Sequence, residues 1–133
     1  MFGALDVSTS GLVTQRIQMD VIAGNVANSH ITRRLDGRPG PYLRQVALVA
    51  AGDGKGGAGV HVAKIVEDTK QKPRAVKDPG HVDADKDGYV YYPNVDMATE
   101  MINMMVASRA YEANITSIEA TKSILNNTLR ILA

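Results

Sequence analysis

Residues 95–132 read VDMATEMINMMVASRAYEANITSIEATKSILNNTLRIL, and this stretch decides the fold. It contains no proline and no glycine, and alternating steps of three and four residues return mostly to apolar or aromatic side chains. Such spacing predicts one long helix with the seam of a coiled coil. The members of this first row are Met101, Met104, Ser108, Tyr111, Ile115, Ile118, Lys122, Leu125, Leu129 and Leu132.

A second row, made mostly of smaller side chains, follows the same stretch with an offset of two residues. At 3.6 residues per turn this offset places the second row about 160° around the helix from the first. One partner helix cannot cover both rows, so the sequence predicts several neighbours for this helix. The members of the second row are Val106, Ala110, Ala113, Ser117, Ala120, Ile124 and Ile131.

The start of the long helix carries cap and charge signals. Asn94 follows Pro93, and its side chain is expected to cap the first free N–H groups. Asp96 and Glu100 are placed near the positive end of the helix dipole, and Arg130 near the negative end. These signals favour a helix that begins near residue 95.

The composition limits the classes of protein to which the chain can belong. The chain of 133 residues fits one domain or one extended subunit, and one phenylalanine with no tryptophan predicts an aliphatic, methionine-rich core. A net charge of +1 with interspersed acids and bases favours neither nucleic acid nor an anionic membrane as a partner. The absence of cysteine excludes disulfides and thiolate metal sites. The first ten residues lack the pattern of a cleaved signal peptide, so any export is expected to use another route.

A shorter helix is predicted for residues 4–28. Its two glycines, Gly11 and Gly24, each cost about 1 kcal/mol relative to alanine, so this helix is expected to become ordered only against a partner. Asn25 and Asn28 offer side-chain hydrogen bonds that compete with the helix, and the helix is expected to end near Asn28. Its three-four row consists of Leu5, Ser8, Leu12, Gln15, Met19, Ile22 and Val26.

Loops and short strands are predicted between the helices. A stretch rich in proline and glycine carries Arg33, Arg34 and Arg38, and a solvated loop is favoured over a phosphate site because no aromatic side chains alternate with the arginines.

Two strands are predicted at residues 42–51 and 60–66. The glycine cluster that joins them lacks the Gly-Lys-Ser/Thr ending of a phosphate-binding loop, so a hairpin connection is favoured. Residues 74–77 are expected to pair briefly, and residues 89–92 form the last β segment.

One acidic motif suggests metal binding. Asp83, Asp85 and Asp87, followed by Gly88, match the start of a calcium loop of the EF-hand type. The twelfth position of that loop is Asn94, where a bidentate glutamate is needed, and Asp-Pro-Gly precedes the loop where a helix is needed. A polar turn is therefore favoured over a metal site.

The remaining candidates for metal-binding or catalytic residues are isolated from one another. His30, His61 and His81 lie on three different segments without ligand spacing, and no serine-histidine-aspartate arrangement can be argued. We therefore expect no enzyme activity, no cofactor and no small-molecule substrate.

These patterns together predict an α+β, mainly α, fold. Long N- and C-terminal helices are expected to pack as a coiled-coil-like pair with a small β-hairpin region inserted between them. The predicted division is an N-terminal helix in residues 1–30, a β region with loops in residues 31–94, and the long C-terminal helix in residues 95–133.

Both ends of the chain carry motifs that resemble one family. The N-terminal motif comprises Ser10-Gly11-Leu12, Gln15-Arg16, residues 19–23 (MDVIA) and residues 25–28 (NVAN). The C-terminal motif comprises Glu100-Met101 and residues 107–114 (ASRAYEAN). The middle contributes residues 59–68 (GVHVAKIVED), 78–81 (DPGH) and 93–95 (PNV). The ends resemble the bacterial flagellar axial proteins, those of rod and hook, and the middle is similar to that of the proximal rod proteins.

This resemblance implies a non-catalytic subunit of the flagellar basal-body rod, the periplasmic shaft that carries torque from motor to hook. It implies that the terminal helices pack together in the inner tube, with the β region outside. The implied partners are copies of the same chain, other flagellar rod proteins, the flagellar type III export apparatus, and the rings around the rod. Export without signal cleavage is implied as well. An alternative from another class stays open, a calcium-responsive binding module that uses residues 83–88.

The assembly interface is expected to lie on the two helices, and which row meets which partner stays open. The expected interface residues are Leu5, Leu12, Met19, Ile22, Val26, Asn25, Asn28, Met101, Met104, Arg109, Tyr111, Asn114, Ile115, Ile118, Leu125 and Leu129.

Overall fold

The computed structural model describes residues 2–132, and the side chains of residues 3–132. Its elements in chain order are α1 (Phe2–Ala27), β1 (Gln45–Ala51), β2 (Val60–Glu67), β3 (Arg74–Lys77), β4 (Tyr89–Tyr92) and α2 (Met97–Leu132). Two terminal helices with a small antiparallel β region between them confirm the α+β, mainly α, fold predicted from the sequence.

The observed helix boundaries lie close to the predicted ones. α1 ends at Ala27, and the side chain of Asn28 donates from Nδ2 to the carbonyl oxygen of Gly24 at 2.8 Å. This bond occupies a carbonyl that the next turn of helix would need, so the helix ends where the sequence predicts. α2 reaches Leu132 as predicted and begins at Met97.

The two helices pack against each other in antiparallel directions. Asn25, near the end of α1, donates to Glu100, near the start of α2. Gly11, earlier in α1, lies opposite Asn114, and a Cβ atom built at Gly11 would be 2.9 Å from Asn114 Nδ2. The absence of a side chain at Gly11 therefore permits the close approach of the helices.

The row of α2 that faces α1 differs from the predicted seam. Its buried members are Glu100 and Ala107, which precede the predicted seam positions Met101 and Ser108 by one residue. Met101 is 62% exposed. The predicted members that are half-buried include Met104, Tyr111, Ile118 and Leu125. The seam is shifted because a buried polar contact and small side chains, rather than the largest apolar ones, lie at the closest approach.

The first hairpin confirms the predicted connection through the glycine cluster. β1 and β2 pair antiparallel from Gln45 opposite Glu67 to Ala51 opposite Val60, with an irregularity between Leu48 and Val49. Four glycines of the loop have positive φ angles, which residues with side chains rarely adopt. β1 begins at Gln45, three residues later than predicted.

The loop end of this hairpin is bound to α1 by two short polar side chains, Ser10 and Thr14. Ser10 Oγ accepts from the backbone N–H of Val60 at 3.1 Å, and Thr14 Oγ1 donates to the carbonyl of Val60 at 3.3 Å. At Gly59 an added Cβ would lie 2.5 Å from Ser10 Oγ. α1 therefore lies between the hairpin and α2, and it contacts both.

The second hairpin is a separate two-stranded sheet. β3 pairs with β4 from Arg74 opposite Tyr92 to Lys77 opposite Tyr89. Val90 of β4 is fully buried, whereas all four residues of β3 are exposed.

The interior of the monomer is small. Among the described side chains the buried apolar residues other than proline are Ile22, Val90 and Ala107, and a similar number of polar side chains is buried as well. Among the described elements α2 packs against α1 and against none of the strands. Most of the large apolar side chains of α2 are consequently exposed. In the described chain neither helix is apolar enough over a sufficient length to span a bilayer.

Candidate assembly surfaces

A buried polar junction joins the two helices to the segment that enters β1. We define this junction by Asn25, Tyr42, Arg44, Gln45 and Glu100. Glu100 is fully buried, and its two oxygens accept from Arg44 Nε at 2.5 Å and from Asn25 Nδ2 at 3.1 Å. Asn25 Oδ1 accepts from the hydroxyl of Tyr42 at 2.9 Å and from the backbone N–H of Gln45 at 2.8 Å.

The junction satisfies all of its buried polar atoms. Asn25 Nδ2 also donates to the carbonyl of Gln45 at 2.8 Å, and Arg44 reaches a second carboxylate, Asp68, at 3.5 Å. No buried side-chain nitrogen or oxygen in the described residues lacks a partner. Burial raises the pKa of Tyr42, and the negative charge of Glu100 raises it further. A fully satisfied network of this kind fixes one register between the packed elements.

Asn94 does not cap α2, in contrast to the prediction. Its Oδ1 accepts from the backbone N–H of Arg44 at 2.8 Å, and its Nδ2 donates to the carbonyls of Asp68 and Gln71. The cap is Asp96, whose Oδ2 accepts from the side-chain hydroxyl of Thr99 at 2.5 Å and from its backbone N–H at 3.4 Å. The prediction was wrong because three backbone groups from distant segments compete for Asn94.

The sequence patterns do not directly reveal that Glu100 is a buried member of the polar junction. The dipole argument gives only its position near the start of α2, and the structure shows that it is the largest of the fully buried side chains described. The sequence does contain one signal for this role. Glu100 lies on the same helical face as Ala107 and Asn114, and a charged residue on such a face requires a buried partner.

The three arginines of this loop form ion pairs with acidic side chains. Arg34 bonds to both Asp36 and Glu67, and Arg38 bonds to the same two carboxylates. The guanidinium groups, that of Arg34 first, hold the pKa values of Asp36 and Glu67 below their usual range. This network fastens the loop after α1 to the end of β2.

The third arginine of this stretch connects the acidic motif to the loop. Arg33 and the hydroxyl of Thr32 both donate to the carboxylate of Asp83, and the Arg33 contact lowers the pKa of that carboxyl. Asp85 accepts from the backbone N–H groups of Asp87 and Tyr89. The motif is therefore a polar turn, as favoured from the sequence. Nowhere in residues 2–132 do three or more histidine or acidic side chains converge to hold a metal ion.

The predicted interface residues fall into three groups in the structure. Ile22 and Asn25 are buried against α2 or β1. The half-buried members are Leu5, Leu12, Met19, Val26, Asn28, Met104, Tyr111, Asn114, Ile118 and Leu125. The exposed members are Met101, Arg109, Ile115 and Leu129. Within one chain the first two groups are thus fully or partly removed from solvent, and the third is left at the surface.

The second row of α2 is exposed over most of its length. Val106 and Ile124 are each more than half exposed, and Ala113, Ser117 and Ala120 between them are exposed too. α1 covers the opposite part of the helix, so the structure agrees with the prediction that one partner helix is not enough. Exposed apolar rows of this length mark sites of protein contact.

The last turns of α2 extend beyond the start of α1. The antiparallel register, with Gly11 opposite Asn114 and Asn25 opposite Glu100, places the first residue of α1 opposite about residue 123. We call residues 124–132 the α2 overhang. Its apolar side chains are largely exposed, with Leu129 at 63% and Ile131 at 84%.

A cleft lies at the other end of the helix pair. It has a volume of about 250 Å³ and is bounded by α1, the first half of α2 and the start of β1. We call it the α1–α2 cleft. Its lining residues are Gln15, Gln18, Val21, Ile22, Asn25, Arg44, Gln45, Val46, Ala47, Glu100, Asn103, Val106, Ala107 and Ala110.

Comparison with known proteins gives matches to the two helical ends and to nearly the whole chain. Residues 5–33 match a family model described as flagella basal body rod protein, and residues 86–131 match one described as flagellar basal body rod FlgEFG protein C-terminal. The chain is 38% identical to the flagellar basal-body rod protein FlgC of Bacillus subtilis, over 98% of this chain and 97% of that protein. It is 40% identical to the FlgC protein of Borreliella burgdorferi, over 99% and 97%. The FlgC protein of Salmonella typhimurium is 37% identical, over 98% and 97%.

Proposed function

Because the chain belongs to the flagellar basal-body rod proteins of the FlgC type, we propose that it enters the rod through its two terminal helices and helps to transmit torque from motor to hook. The protein is a structural subunit of the rod, and its family is not a family of enzymes. It assembles with copies of itself and with other rod components, as its family implies.

One observation supports the proposed role of the helices in assembly. α1 and α2 form a single antiparallel unit whose register is fixed by the polar junction, while α2 exposes a long apolar row and the overhang. A rigid unit with uncovered apolar surface gains stability when neighbouring subunits cover that surface. Helices interdigitated at the density of a protein interior resist twisting, which a torque-bearing shaft requires.

The division into segments follows from the same reasoning. Residues 1–30 and 95–133 would form the inner tube of the rod, and residues 31–94 would lie outside it. The polar junction supports this division, because it ties the β region to the helix pair at one end. The sixteen interface residues predicted from the sequence are proposed to contribute in two ways. The buried and half-buried ones hold the helix pair together, and the exposed ones contact neighbouring subunits.

The position of the rod and the route to it are part of the proposal. We place the chain in the periplasmic rod, with the surrounding rings as further neighbours, and we propose export through the flagellar type III apparatus without signal cleavage. The small interior supports export in an unfolded form, since few buried apolar side chains oppose unfolding. The calcium alternative has no support, because Asp83 is bound to Arg33 and the three carboxylates do not converge.

A complementation experiment tests the proposal. A strain that lacks the gene is expected to lose swimming and complete basal bodies, and the wild-type gene is expected to restore both. The variant Ile115→Asp places a charge on an exposed apolar position of α2, so the chain should fold and be secreted but fail to enter rods. Leu125 is half-buried, so Leu125→Asp should also fail to enter rods but is expected to weaken the fold as well. Lys72→Asp in an exposed loop serves as the control and should swim normally.

The readouts separate export from assembly. Secreted chain is measured in the culture supernatant, and incorporated chain is measured in purified basal bodies. Normal swimming and normal incorporation of the Ile115→Asp chain would contradict the proposed contact of this exposed position with neighbouring subunits. Absence of the wild-type chain from purified basal bodies would contradict the function itself.

A further inference from the structure

We propose that the outer edge of β3 binds an acidic, extended peptide segment of another protein, which adds to the second hairpin as a third strand. We define this surface, the β3 edge, by residues 74–77. It lies in the β region and outside both stretches that match the family models, residues 5–33 and 86–131. The inference therefore goes beyond the proposed function, which assigns the rod contacts to the helices.

The β3 edge carries backbone groups that no other described residue binds. The N–H of Asp78 donates to the carbonyl of Gly88 at 2.9 Å, one position beyond the last strand pair, Lys77 opposite Tyr89. Hydrogen-bonded pairs alternate along antiparallel strands, so the N–H and C=O groups of Ala75 and Lys77 point away from β4. All four residues of β3 are exposed. These outward groups are therefore open to a third strand.

The other three strand edges each receive bonds from elsewhere in the chain. Side chains of α1 accept from the outward N–H groups of Gln45 in β1 and Val60 in β2. Tyr89 of β4 donates from its N–H to Asp85 Oδ1 at 2.8 Å, and its carbonyl accepts from the N–H of Asp85 at 2.8 Å. Among the described strands, only β3 has an edge without such a bond.

The β3 edge is also basic, and its charges are unpaired. Arg74 and Lys77 lie at its two ends, and residues 69–77 contain four basic and no acidic side chains. The ion pairs within residues 3–132 involve neither Arg74 nor Lys77. The guanidinium carbon of Arg74 lies 5.7 Å from the ring centre of Tyr92, and this stacking leaves the positive charge without a counter-charge. An acidic ligand supplies the charges that this edge lacks.

The same charges disfavour a second copy of the chain as the ligand. Antiparallel pairing of two β3 edges would place Arg74 of one copy opposite Lys77 of the other, and parallel pairing would place each residue opposite itself. Like charges directly opposite each other destabilise a strand pair, and basic side chains on exposed edges protect proteins from edge-to-edge association. The charges thus exclude self-pairing and select an acidic strand.

The register predicts the sequence pattern of the bound segment. Acidic side chains opposite Arg74 and Lys77, with apolar ones opposite Ala75 and Val76, give the order acidic, apolar, apolar, acidic. Val76 is 38% exposed, and an apolar side chain opposite it would shield it from water. An anionic membrane could match the charges, but it supplies no row of alternating N–H and C=O groups for the edge. Strand addition by a peptide uses both features.

A binding experiment with two synthetic peptides tests the proposal on the purified full chain. The acidic probe is a short fluorescein-labelled peptide with Glu-Val-Val-Glu at its centre and serine and glycine at its ends. The methylated probe has the same side chains, with N-methyl groups at the two positions opposite Ala75 and Lys77. Fluorescence anisotropy at low salt should show binding of the acidic probe. Binding of the methylated probe should be weaker by about tenfold or more, because two backbone donors are lost.

Charge reversal with a matched control locates the site. Arg74→Glu combined with Lys77→Glu should weaken binding of the acidic probe by about tenfold or more. The same variant should bind a probe that has lysine in place of glutamate. Lys55→Glu combined with Lys122→Glu makes the same change in net charge at two exposed positions elsewhere, and it should bind the acidic probe as the wild type does.

Ala75→Pro separates strand addition from attraction between charges. Proline removes the outward N–H and leaves the charge of the edge unchanged, and sheets tolerate proline where the missing N–H faces solvent. This variant should keep its helical circular dichroism and lose the acidic probe. If it does not fold, the methylated probe makes the same test without altering the protein.

Four results would overturn the proposal. They are no binding of the acidic probe, equal binding of the two probes, and binding that the charge reversal leaves unchanged. The fourth is binding to phosphatidylglycerol vesicles, by the wild type and by Ala75→Pro alike, in place of binding to the acidic probe, which would indicate a membrane ligand. None of these results depends on entry of the chain into rods, so the proposed function stands or falls separately.

Discussion

The substitution Glu100→Gln tests whether the buried polar junction holds the helix pair in register. The change keeps the size of the side chain and removes its charge. One oxygen of the amide still accepts a hydrogen bond, but its NH₂ group then faces a donor, either Arg44 Nε or Asn25 Nδ2. The variant therefore leaves one donor without an acceptor and the partly buried guanidinium of Arg44 without its closest counter-charge.

The expected loss of stability follows from the burial of the pair. Breaking a buried ion pair costs about 3–5 kcal/mol when the remaining charge has no other partner. The side chain of Arg44 is 20% exposed and keeps Asp68 at 3.5 Å, which softens the loss. We expect a decrease in the free energy of unfolding of about 2–3 kcal/mol. For a chain of this length that corresponds to a decrease in Tm of about 10 °C.

Urea denaturation followed by circular dichroism measures this loss, and α2 itself provides the control. Glu112→Gln makes the same chemical change at an exposed ion pair with Arg109. Exposed pairs contribute little, so the control should lie within about 0.5 kcal/mol of the wild type. The double variant Arg44→Met with Glu100→Leu should recover much of the loss, because it removes both charges together.

The reasoning would be refuted by a Glu100→Gln chain whose unfolding midpoint matches that of the wild type. It would also be refuted if Glu112→Gln were equally destabilising. In either case the register of the helix pair would have to come from the close packing at Gly11 and Ala107.

Three further predictions concern pH and backbone packing. The depressed pKa values of Asp36 and Glu67 stabilise the fold fully above their unfolded values of 3.8 and 4.5, and this contribution is lost as the pH falls through the lower folded values. A urea midpoint that stays constant on acidification would contradict this. The raised pKa of Tyr42 gives a contribution that is complete below its unfolded value of 10.0 and is lost as the pH rises through the folded value. One late step in the tyrosinate absorbance, absent in Tyr42→Phe, would demonstrate it. Gly24→Ala meets no atom within 4 Å and should stabilise the chain by about 1 kcal/mol, whereas Gly11→Ala meets an amide side chain of α2 and should gain less or lose stability. Equal urea midpoints for the two variants would count against the close approach at Gly11.

Much of the fold could be predicted from local sequence patterns. The three-four spacing located both helices to within two residues, and the glycine cluster identified the first hairpin. The sequence motifs at the two ends are sufficient to indicate the rod family, and relatives of nearly the full length confirm it. These features are local, because hydrogen bonding within a helix or a turn depends on residues close in the chain.

The pairing of distant polar groups could not be predicted in the same way. Asn94 carries a clear local cap signal, yet its side chain bonds to Arg44, Asp68 and Gln71. The arginines of the loop after α1 have a sequence typical of a solvated segment, yet two of them share the carboxylate of Glu67 from β2. In each case the side chain bonds to a partner far away in the chain instead of capping the helix or remaining in solvent. The spacing of residues along the sequence carries no information about such a partner.

The long helix at residues 97–132 shows most clearly which features the sequence determines and which depend on the tertiary structure. The sequence by itself determined that this segment is helical and that two apolar rows run along it, because side-chain spacing and helix geometry set both. Only the tertiary structure decided which face α1 covers. That choice depends on the burial of Glu100 and on the close approach at Gly11, which act between residues from opposite ends of the chain. The same choice leaves the second row and the overhang exposed, and it thereby decides which surfaces are left for neighbouring subunits.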